Sequence, residues 1–485
     1  MQDSLRNKTI KNSIWKFSER IIAQGVSLLV SIILARLLLP DDYGVVSIVT
    51  IFFSFMNVII TGGLNSALIQ KKDADVEDYS AVLYASLFVS LVFYGLIYFC
   101  APIIASIYRK DVLINVFRVM GLILPVTAVK SVICAYVSST LQFRKFFFST
   151  IGGTLISAVV GIWLAQSGYG AWALVAQQMT NTIIDTLILQ LSTRVKFVMY
   201  FNVAKFKKLF SYGSKVLLSS LIDTTYNELN PLIIGVKYSG ADLSFYNRGQ
   251  TFPNVITSTV NSTLSGVLFP VLSKVQDDKE RLLNYTRLFI RLSSYLVFPM
   301  MLGFVAISDN FISVVLTDKW LPASVYIKIF CISNMFVMIA TGNCETIKAM
   351  GRSDVFLKME IIKKTCYFIV IGIFIWLTKS PQALAFAAIV CTAISIIVNT
   401  YPNRKLLLYS YKLQAMDIVP NLAISITMMI IVSLLNNLMI NKVALITLQI
   451  VLGAFVYAFM SVLTHNKSFY YIIDILRTKS VGYKK

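Results

Sequence analysis

Residues 32–44, IILARLLLPDDYG, and residues 231–247, PLIIGVKYSGADLSFYN, are two versions of one pattern. Each ends an apolar run with a basic residue, a short turn containing Gly or Pro, an aspartate and an aromatic residue. At an offset of 201 residues, Asp41 aligns with Asp242. A repeat of this kind, in the same orientation and about half a chain apart, is typical of membrane proteins built from two related lobes.

The rest of the chain is as apolar as these two stretches. Of its 485 residues, 57% are hydrophobic and 14% are charged, a composition that excludes a water-soluble globule. A membrane-spanning helix needs about 20 apolar residues, and we count fourteen such runs. The sequence therefore predicts an all-α polytopic membrane protein with two six-helix lobes and two C-terminal helices. The predicted divisions are an N-terminal lobe at 1–193, a cytoplasmic amphipathic linker at 194–211, a C-terminal lobe at 212–401, and two further spans with a cytoplasmic tail at 402–485.

The positive charge of the chain predicts its orientation. Lys and Arg number 44 against 23 Asp and Glu, a net charge of +21. With fourteen spans, 32 of the 44 basic residues fall at the termini and on connections of the same side. By the positive-inside rule that side is cytoplasmic, so both termini are predicted to be cytoplasmic. Because topology explains the excess, we predict no nucleic-acid partner.

Motifs for catalysis or for a cofactor are absent from the sequence. The six cysteines lie singly in apolar runs and His465 is the only histidine, so neither a disulfide framework nor a metal site is predicted. The outer connections are short, and they hold no nucleophile with a base and no phosphate-binding glycine loop. We predict no cofactor and no enzyme activity.

Three basic residues inside two apolar runs point to a polar interior, because an ionisable group in a membrane span needs a cavity or a partner. Arg20 and Gln24 belong to a polar stripe on the first span, although Arg20 could instead form a salt bridge near the inner headgroups. Arg118 and Lys130 lie on the fourth span, and neither has an acid within a turn on that helix. Arg118 can extend to the outer surface, whereas Lys130 is too deep, so Lys130 is the stronger cavity candidate.

Spans six, seven and eight carry further polar faces. The candidates for substrate binding there are Asn181, Asn227 and Asn261, and the candidates for ion coupling are Asp185, Asp223 and Glu228. Carboxylates in a span could bind a cation or titrate. The amides of span six could instead hold helices together through interhelical hydrogen bonds.

Several motifs, in order along the chain, resemble one family. They include ARLLLPDDYG at 35–44, LQFRKFF at 141–147, GYGAWALVAQQ at 168–178 and AMGR at 349–352. Together with the stretch from residue 231, they resemble the polysaccharide flippases (Wzx and WzxC-like) of the multidrug, oligosaccharidyl-lipid and polysaccharide exporter superfamily. The similarity covers roughly residues 10 to 400.

The resemblance implies a substrate and partners. Such a protein is expected to carry undecaprenyl-diphosphate-linked oligosaccharides across a bacterial cytoplasmic membrane by alternating access, for O-antigen, capsule or exopolysaccharide. Its partners would be this lipid-linked oligosaccharide, the bilayer, a coupling ion (H⁺ or Na⁺), and a polysaccharide polymerase with a chain-length regulator. The membrane potential could supply the direction instead of an ion. Two alternatives are a cation-coupled exporter of small molecules similar to multidrug transporters, and a membrane enzyme such as a polymerase or ligase.

Overall fold

The computed structural model of the protein describes residues 22–71, 74–140, 142–195, 197–198 and 203–482, which form α-helices joined by short turns. The helices are α1 (Ile22–Leu37), α2 (Pro40–Asn57), α3 (Gly63–Gln70), α4 (Val76–Tyr108), α5 (Val112–Gly121), α6 (Ile123–Ser139), α7 (Phe143–Gln166), α8 (Ala171–Thr193), α9 (Val203–Lys237), α10 (Gly240–Lys274), α11 (Lys279–Val315), α12 (Ala323–Met335), α13 (Val337–Ala349), α14 (Ser353–Leu377), α15 (Pro381–Leu406), α16 (Tyr411–Leu434), α17 (Lys442–Leu463) and α18 (Lys467–Gly482).

Every predicted span falls, within a few residues, on one helix or on two consecutive helices, apart from residues 15–21, which lie outside the described residues. Nine helical segments of the described chain are long and apolar enough to cross a membrane. Long helices α8, α9, α10 and α14 are not among them, and the first three carry the polar candidates of spans six to eight. The helical multi-pass membrane fold is therefore confirmed, and the number fourteen stays a prediction.

Two compact units divide the chain after Ser244. The first contains α1 to α9 and the start of α10, and the second contains the rest of α10 and α11 to α18. The predicted lobe boundaries lie earlier in the chain and stay a prediction. Part of the predicted linker, residues 196 and 199–202, lies outside the described residues, and from Val203 onward its sequence forms the first turns of α9.

In the first unit, α7 and α8 pack closely through small side chains. The buried positions on α7 recur every four residues at Ser149, Gly153, Ser157, Gly161 and Ala165. A Cβ atom at Gly153 would lie 2.9 Å from Asn181 Oδ1 and 3.1 Å from Asn181 O, so a side chain here would force α8 to shift. Small residues at this spacing let membrane helices approach until their backbones nearly touch. The interhelical hydrogen bonds expected of span six are not what joins the pair, because Asn181 makes no side-chain hydrogen bond to a described residue.

The internal repeat is visible as two matching hairpins. Two residues separate α1 from α2, and two separate α9 from α10. Asp42 accepts a hydrogen bond from the Leu39 N–H at 3.0 Å, and Asp242 accepts one from the Ser239 N–H at 3.2 Å. Asp42 is therefore the residue equivalent to Asp242, and the offset of 201 was wrong by one. The sequence alone could not distinguish Asp41 from Asp42, because only the helix start shows which aspartate occupies the capping position.

The two hairpins also contact each other within the first unit. The backbones of Gly44 and Gly240 meet where no side chain would fit. Ser244 Oγ donates a hydrogen bond to Pro40 O at 2.6 Å. An ion pair between Lys110 and Asp41 lies beside this contact. Glycines were thus required here because the first turns of α2 and α10 approach backbone to backbone.

The second unit is arranged around α11, which packs against α12, α13, α16 and α17. Its largest fully buried side chains include Trp320, Tyr326 and Phe298. Aromatic rings contact edge to face, as between Tyr246 and Phe330 with centroids 5.1 Å apart. This unit also buries several amides and one Arg–Asp pair, which are described below.

Candidate translocation site

A polar stripe runs along α2 and α3 in the first unit. It consists of Thr50, Ser54, Asn57, Thr61 and Asn65. Steps of three or four residues keep these side chains on one face. A π-helical turn at Val58–Gly62 interrupts the α-helix within the stripe, and such turns occur frequently at functional sites. Our sequence analysis missed this stripe, although its spacing is the signal that pointed to the first span.

Two amides of the stripe are available to another ligand. The hydroxyl groups are satisfied locally, since Thr50 Oγ1 donates to Val46 O at 2.8 Å and Thr61 Oγ1 donates to Asn57 O at 2.7 Å. Asn57 and Asn65 make no side-chain hydrogen bond within the described part of the chain, and the Oδ1 atom of each is buried. A buried polar group without a partner costs about 1–3 kcal/mol. The pair of free amides therefore marks a place suited to a polar ligand.

Helix α9 packs along α2 and α3 beside this stripe. Gly63 and Gly213 meet through their backbones, which leaves no space for a side chain at either position. The Ser54 hydroxyl donates to Thr50 O at 2.9 Å, and the half-buried Glu228 side chain of α9 lies close to it. One of the predicted ion-coupling residues, Glu228, therefore lies beside the stripe.

Lys130 and Asp185 form an ion pair between α6 and α8. Lys130 Nζ lies 2.6 Å from Asp185 Oδ2, with the lysine side chain 30% exposed and the aspartate side chain 9% exposed. The expectation that Lys130 is an isolated cation was wrong, because a search along one helix cannot find an acid on another. A predicted substrate residue and a predicted ion-coupling residue are therefore parts of one neutral pair.

Arg118 is stabilised by an aromatic ring. Its Cζ atom lies 4.3 Å from the centre of the Tyr98 ring, within the range of a cation–π interaction. Its Nε atom is buried and donates no hydrogen bond within residues that the structure describes. The guanidinium therefore stacks on α4 and forms no ion pair with a described residue.

The other predicted site residues differ in their placement. Gln24, Asn181, Asp223 and Asn227 are exposed on helices of the first unit, and Asn261 is half-buried on α10 in the second unit. Arg20 lies outside the described residues. No structural observation brings all of these candidates together, so their roles stay predictions.

Polar side chains in the second unit bond to each other. Arg287 donates from Nε to Asp417 Oδ2 at 2.8 Å and from Nη2 to Oδ1 at 2.9 Å. Tyr409, in the turn before α16, donates its hydroxyl to Asp417 Oδ2 at 2.9 Å. Burial, reinforced by the Asp417 charge, raises the pKa of Tyr409, so this hydroxyl stays protonated and remains a donor.

A buried amide network lies beside this ion pair. Asn343 Nδ2 donates to Gln414 Oε1 at 3.1 Å, and Gln414 Nε2 donates back to Asn343 Oδ1 at 3.1 Å. Asn403 Nδ2 also donates to Asn343 Oδ1, at 2.7 Å. These three residues come from α13, α15 and α16, so the network joins three helices and has a structural role.

The second unit also contains an apolar cavity of about 350 Å³ between α10, α11, α16 and α17. Its walls include Ile256, Phe304, Met428, Ile450 and Tyr457. Such a cavity can hold a hydrocarbon chain and has little to offer a sugar.

Comparison with known proteins gives the family. The model of the family described as "Polysaccharide biosynthesis protein" matches residues 33–325, more than half of the chain, so the chain belongs to that family. The resemblance predicted from the motifs is thereby confirmed. An uncharacterized membrane protein in the cps region of Klebsiella pneumoniae is 24% identical over 96% of each chain. The succinoglycan biosynthesis transport protein ExoT of Rhizobium meliloti is 24% identical over 75% of this chain and 74% of its own.

Solved structures share the fold. The lipid II flippase MurJ in an inward closed conformation has a TM-score of 0.76 at 15% identity, covering 94% of this chain and 99% of MurJ. An inward-facing multidrug resistance MATE family transporter of the MOP superfamily has a TM-score of 0.61 at 13% identity, covering 82% of this chain and 99% of its own. Because both proteins share the fold, the fold alone does not choose between their substrates.

Proposed function

We propose that the protein is a flippase for undecaprenyl-diphosphate-linked oligosaccharide repeat units in the bacterial cytoplasmic membrane. The units would serve O-antigen, capsule or exopolysaccharide synthesis, and transport would proceed by alternating access. Family membership and the names of the relatives support a polysaccharide pathway. The transport activity itself needs no catalytic residue.

The free amides on α2 and α3 carry the proposal. Asn57 and Asn65 present donors and acceptors inside an apolar helix pair, and sugar hydroxyls can both donate and accept hydrogen bonds. Drug-sized apolar cations would leave these amides unpaired, whereas a carbohydrate would satisfy them.

The diphosphate would be bound by exchange at the Lys130–Asp185 pair. A phosphate oxygen can replace the Asp185 carboxylate as the partner of Lys130, and the lysine is exposed enough to be reached. The released carboxylate could then take up a proton or a sodium ion. Exchange of one anion for another keeps the affinity moderate, which a carrier needs in order to release its substrate on the far side.

Alternating access would open and close the contact between the two hairpins. In the conformation described, Gly44 meets Gly240 and Ser244 bonds to Pro40. These residues lie on connections that we place on the outer side, with both termini cytoplasmic. Access from outside would require this contact to separate, and movement of α9 along α2 and α3 is the change that would do so.

The lipid tail and the partners complete the proposal. The apolar cavity of the second unit could hold part of the isoprenoid chain while the headgroup moves. A polymerase and a chain-length regulator would use the flipped units. The second candidate function is a cation-coupled small-molecule exporter, which the carboxylates Asp223 and Glu228 on α9 would favour.

A reconstituted flipping assay tests the proposal. A fluorescent lipid diphosphate oligosaccharide is incorporated into liposomes with the purified protein, and its exposure to an outside quencher is followed. We expect flipping by the wild type, a rate lower by about tenfold or more in Asn57→Ala, consistent with the loss of one or two hydrogen bonds, and an unchanged rate in Lys379→Ala, an exposed control.

Two results would contradict the proposed flippase function. Absence of flipping, together with cation-driven uptake of a small fluorescent drug, would establish the exporter instead. Flipping at the wild-type rate in Asn57→Ala and Asn65→Ala would show that the stripe does not contact the headgroup.

A further inference from the structure

A second cavity, of about 500 Å³, lies between the first turns of α14 and the last turns of α15. Most of its wall is apolar and comes from Val355, Met359, Ile362, Ile397, Val398 and Leu406. Three basic residues, Arg352, Lys358 and Lys405, also line it. The cavity is formed entirely by the second unit, and the function proposed above makes no use of it.

Two of the three basic residues are not neutralised by the protein. Arg352 donates from Nε and Nη2 to the Asp354 carboxylate at 3.0 and 3.1 Å, so its charge is compensated. Lys358 and Lys405 form no ion pair with any residue that the structure describes. Lys405 Nζ lies 5.2 Å from the Tyr401 ring, which orients the ammonium without cancelling its charge. The cavity therefore combines two free positive charges with hydrocarbon walls.

The position along α14 puts these charges at a membrane surface. Lys358 lies on the second turn of α14, and Trp376, which is 85% exposed, lies near the other end. Glu360, Lys363 and Lys364 follow on the next turns, and the uncharged residues 365–377 make up roughly the last 20 Å of the helix, so charge is concentrated at the end of α14 that lines the cavity. Trp and Lys are both residues that mark the membrane–water interface. Leu357 and Ile361, beside the cavity, are mostly exposed and can face lipid.

We propose that this cavity binds one anionic phospholipid of the leaflet on the basic side of the membrane. The headgroup phosphate would lie between Lys358 and Lys405, and an acyl chain would follow Ile362 and Ile397. Basic pockets between transmembrane helices are a recognised means of binding acidic lipid headgroups. The apolar walls favour an intact lipid over free phosphate, because phosphate would leave them exposed to water. This inference is independent of which substrate the protein carries.

Native mass spectrometry of the full chain, released from detergent micelles, measures the binding. The protein is titrated with dioleoyl phosphatidylglycerol and, separately, with dioleoyl phosphatidylcholine. The test variant is Lys358→Gln with Lys405→Gln. Its matched control is Lys274→Gln with Lys279→Gln, which removes two exposed charges from the turn between α10 and α11, outside the cavity. Both variants change only exposed side chains, so both are expected to fold.

We expect the wild type to retain one phosphatidylglycerol in preference to phosphatidylcholine. Affinity for phosphatidylglycerol should fall by about 10- to 30-fold in the test variant and by less than about threefold in the control. Equal losses in both variants would show only diffuse attraction to surface charge and would overturn the proposal. So would equal binding of the two lipids by the wild type. Glycerophosphoglycerol, the headgroup without acyl chains, should bind at least about tenfold more weakly than the lipid; equal binding would mean a site for free phosphate.

Discussion

The two units of the molecule differ in the hydrogen bonding of these buried amide side chains. On α2 and α3 of the first unit, Asn57 and Asn65 have no hydrogen-bond partner among the described residues. In the second unit, Asn343 and Gln414 are bonded to each other and to neighbouring helices. Satisfied buried amides stabilise one packing arrangement, whereas unsatisfied ones lower stability. The difference indicates that Asn343 and Gln414 have a structural role, whereas Asn57 and Asn65 are suited to a ligand.

The ion pair of the second unit, Arg287–Asp417, has more hydrogen bonds than that of the first unit, Lys130–Asp185. Asp417 receives two hydrogen bonds from Arg287 and one from Tyr409. Among the described residues, Asp185 contacts only the Lys130 ammonium through its carboxylate oxygens. A forked, fully bonded pair is difficult to exchange, whereas a single contact can be replaced by a substrate anion.

The largest expected effect is on the structural pair. Arg287→Ala should lower the free energy of unfolding by about 3 kcal/mol, because Asp417 stays buried without its main partner. Arg291, 3.8 Å from Asp417, limits the loss. Thermal unfolding in detergent measures it, with Arg281→Ala, an exposed arginine on the same helix, as the control. An equal shift in both variants would mean that Asp417 does not depend on the pair.

Lys130→Ala should cost about 1–3 kcal/mol of stability, because Asp185 loses the one charged partner that it has in the described part of the chain. Lys130→Ala with Asp185→Asn should recover most of that stability, since no charge is then left buried. Flipping measured in the same liposomes should stay low in both. If flipping recovers in the double variant, the Lys130–Asp185 pair has only a structural role. It would then not differ in function from the Arg287–Asp417 pair.

Asn343→Ala should destabilise the second unit by about 1–3 kcal/mol, because it leaves Gln414 and Asn403 without a shared partner. Flipping per folded molecule should change little. Thermal unfolding and the liposome assay, compared on the same preparation, test both statements. A specific loss of flipping at full stability would mean that the second unit also contacts substrate through its amides.

The smallest stability change is expected at Asn57. Asn57→Ala relieves the desolvation penalty of an amide that has no described partner and also removes some packing, so stability should fall by no more than about 0.5 kcal/mol while flipping falls. A loss of stability as large as that of Asn343→Ala would show that Asn57 is structural, and the comparison between the units would then fail.

Much of the fold could be predicted from the sequence. Apolar runs of about 20 residues are a local signal, so span positions can be read without tertiary structure, and the alternation of positive charge supplies a prediction of the orientation. The stripe on α2 and α3 has the same kind of signal and was overlooked because it contains no charge. The register of the repeat needed the helix start at Pro40, which sequence places only to within a residue or two.

The sequence by itself determined that this chain is a multi-pass helical membrane protein with a two-part repeat and a polysaccharide-family pattern, because hydrophobicity and motif order are properties of consecutive residues. Only the tertiary structure decided that Lys130 is paired with Asp185, that Arg118 stacks on Tyr98, and that Asn343 is hydrogen-bonded while Asn57 has no partner among the described residues. Partners on different helices are separated by 20 to 71 residues in these cases. Their contact depends on how helices pack, and no spacing along one helix encodes it.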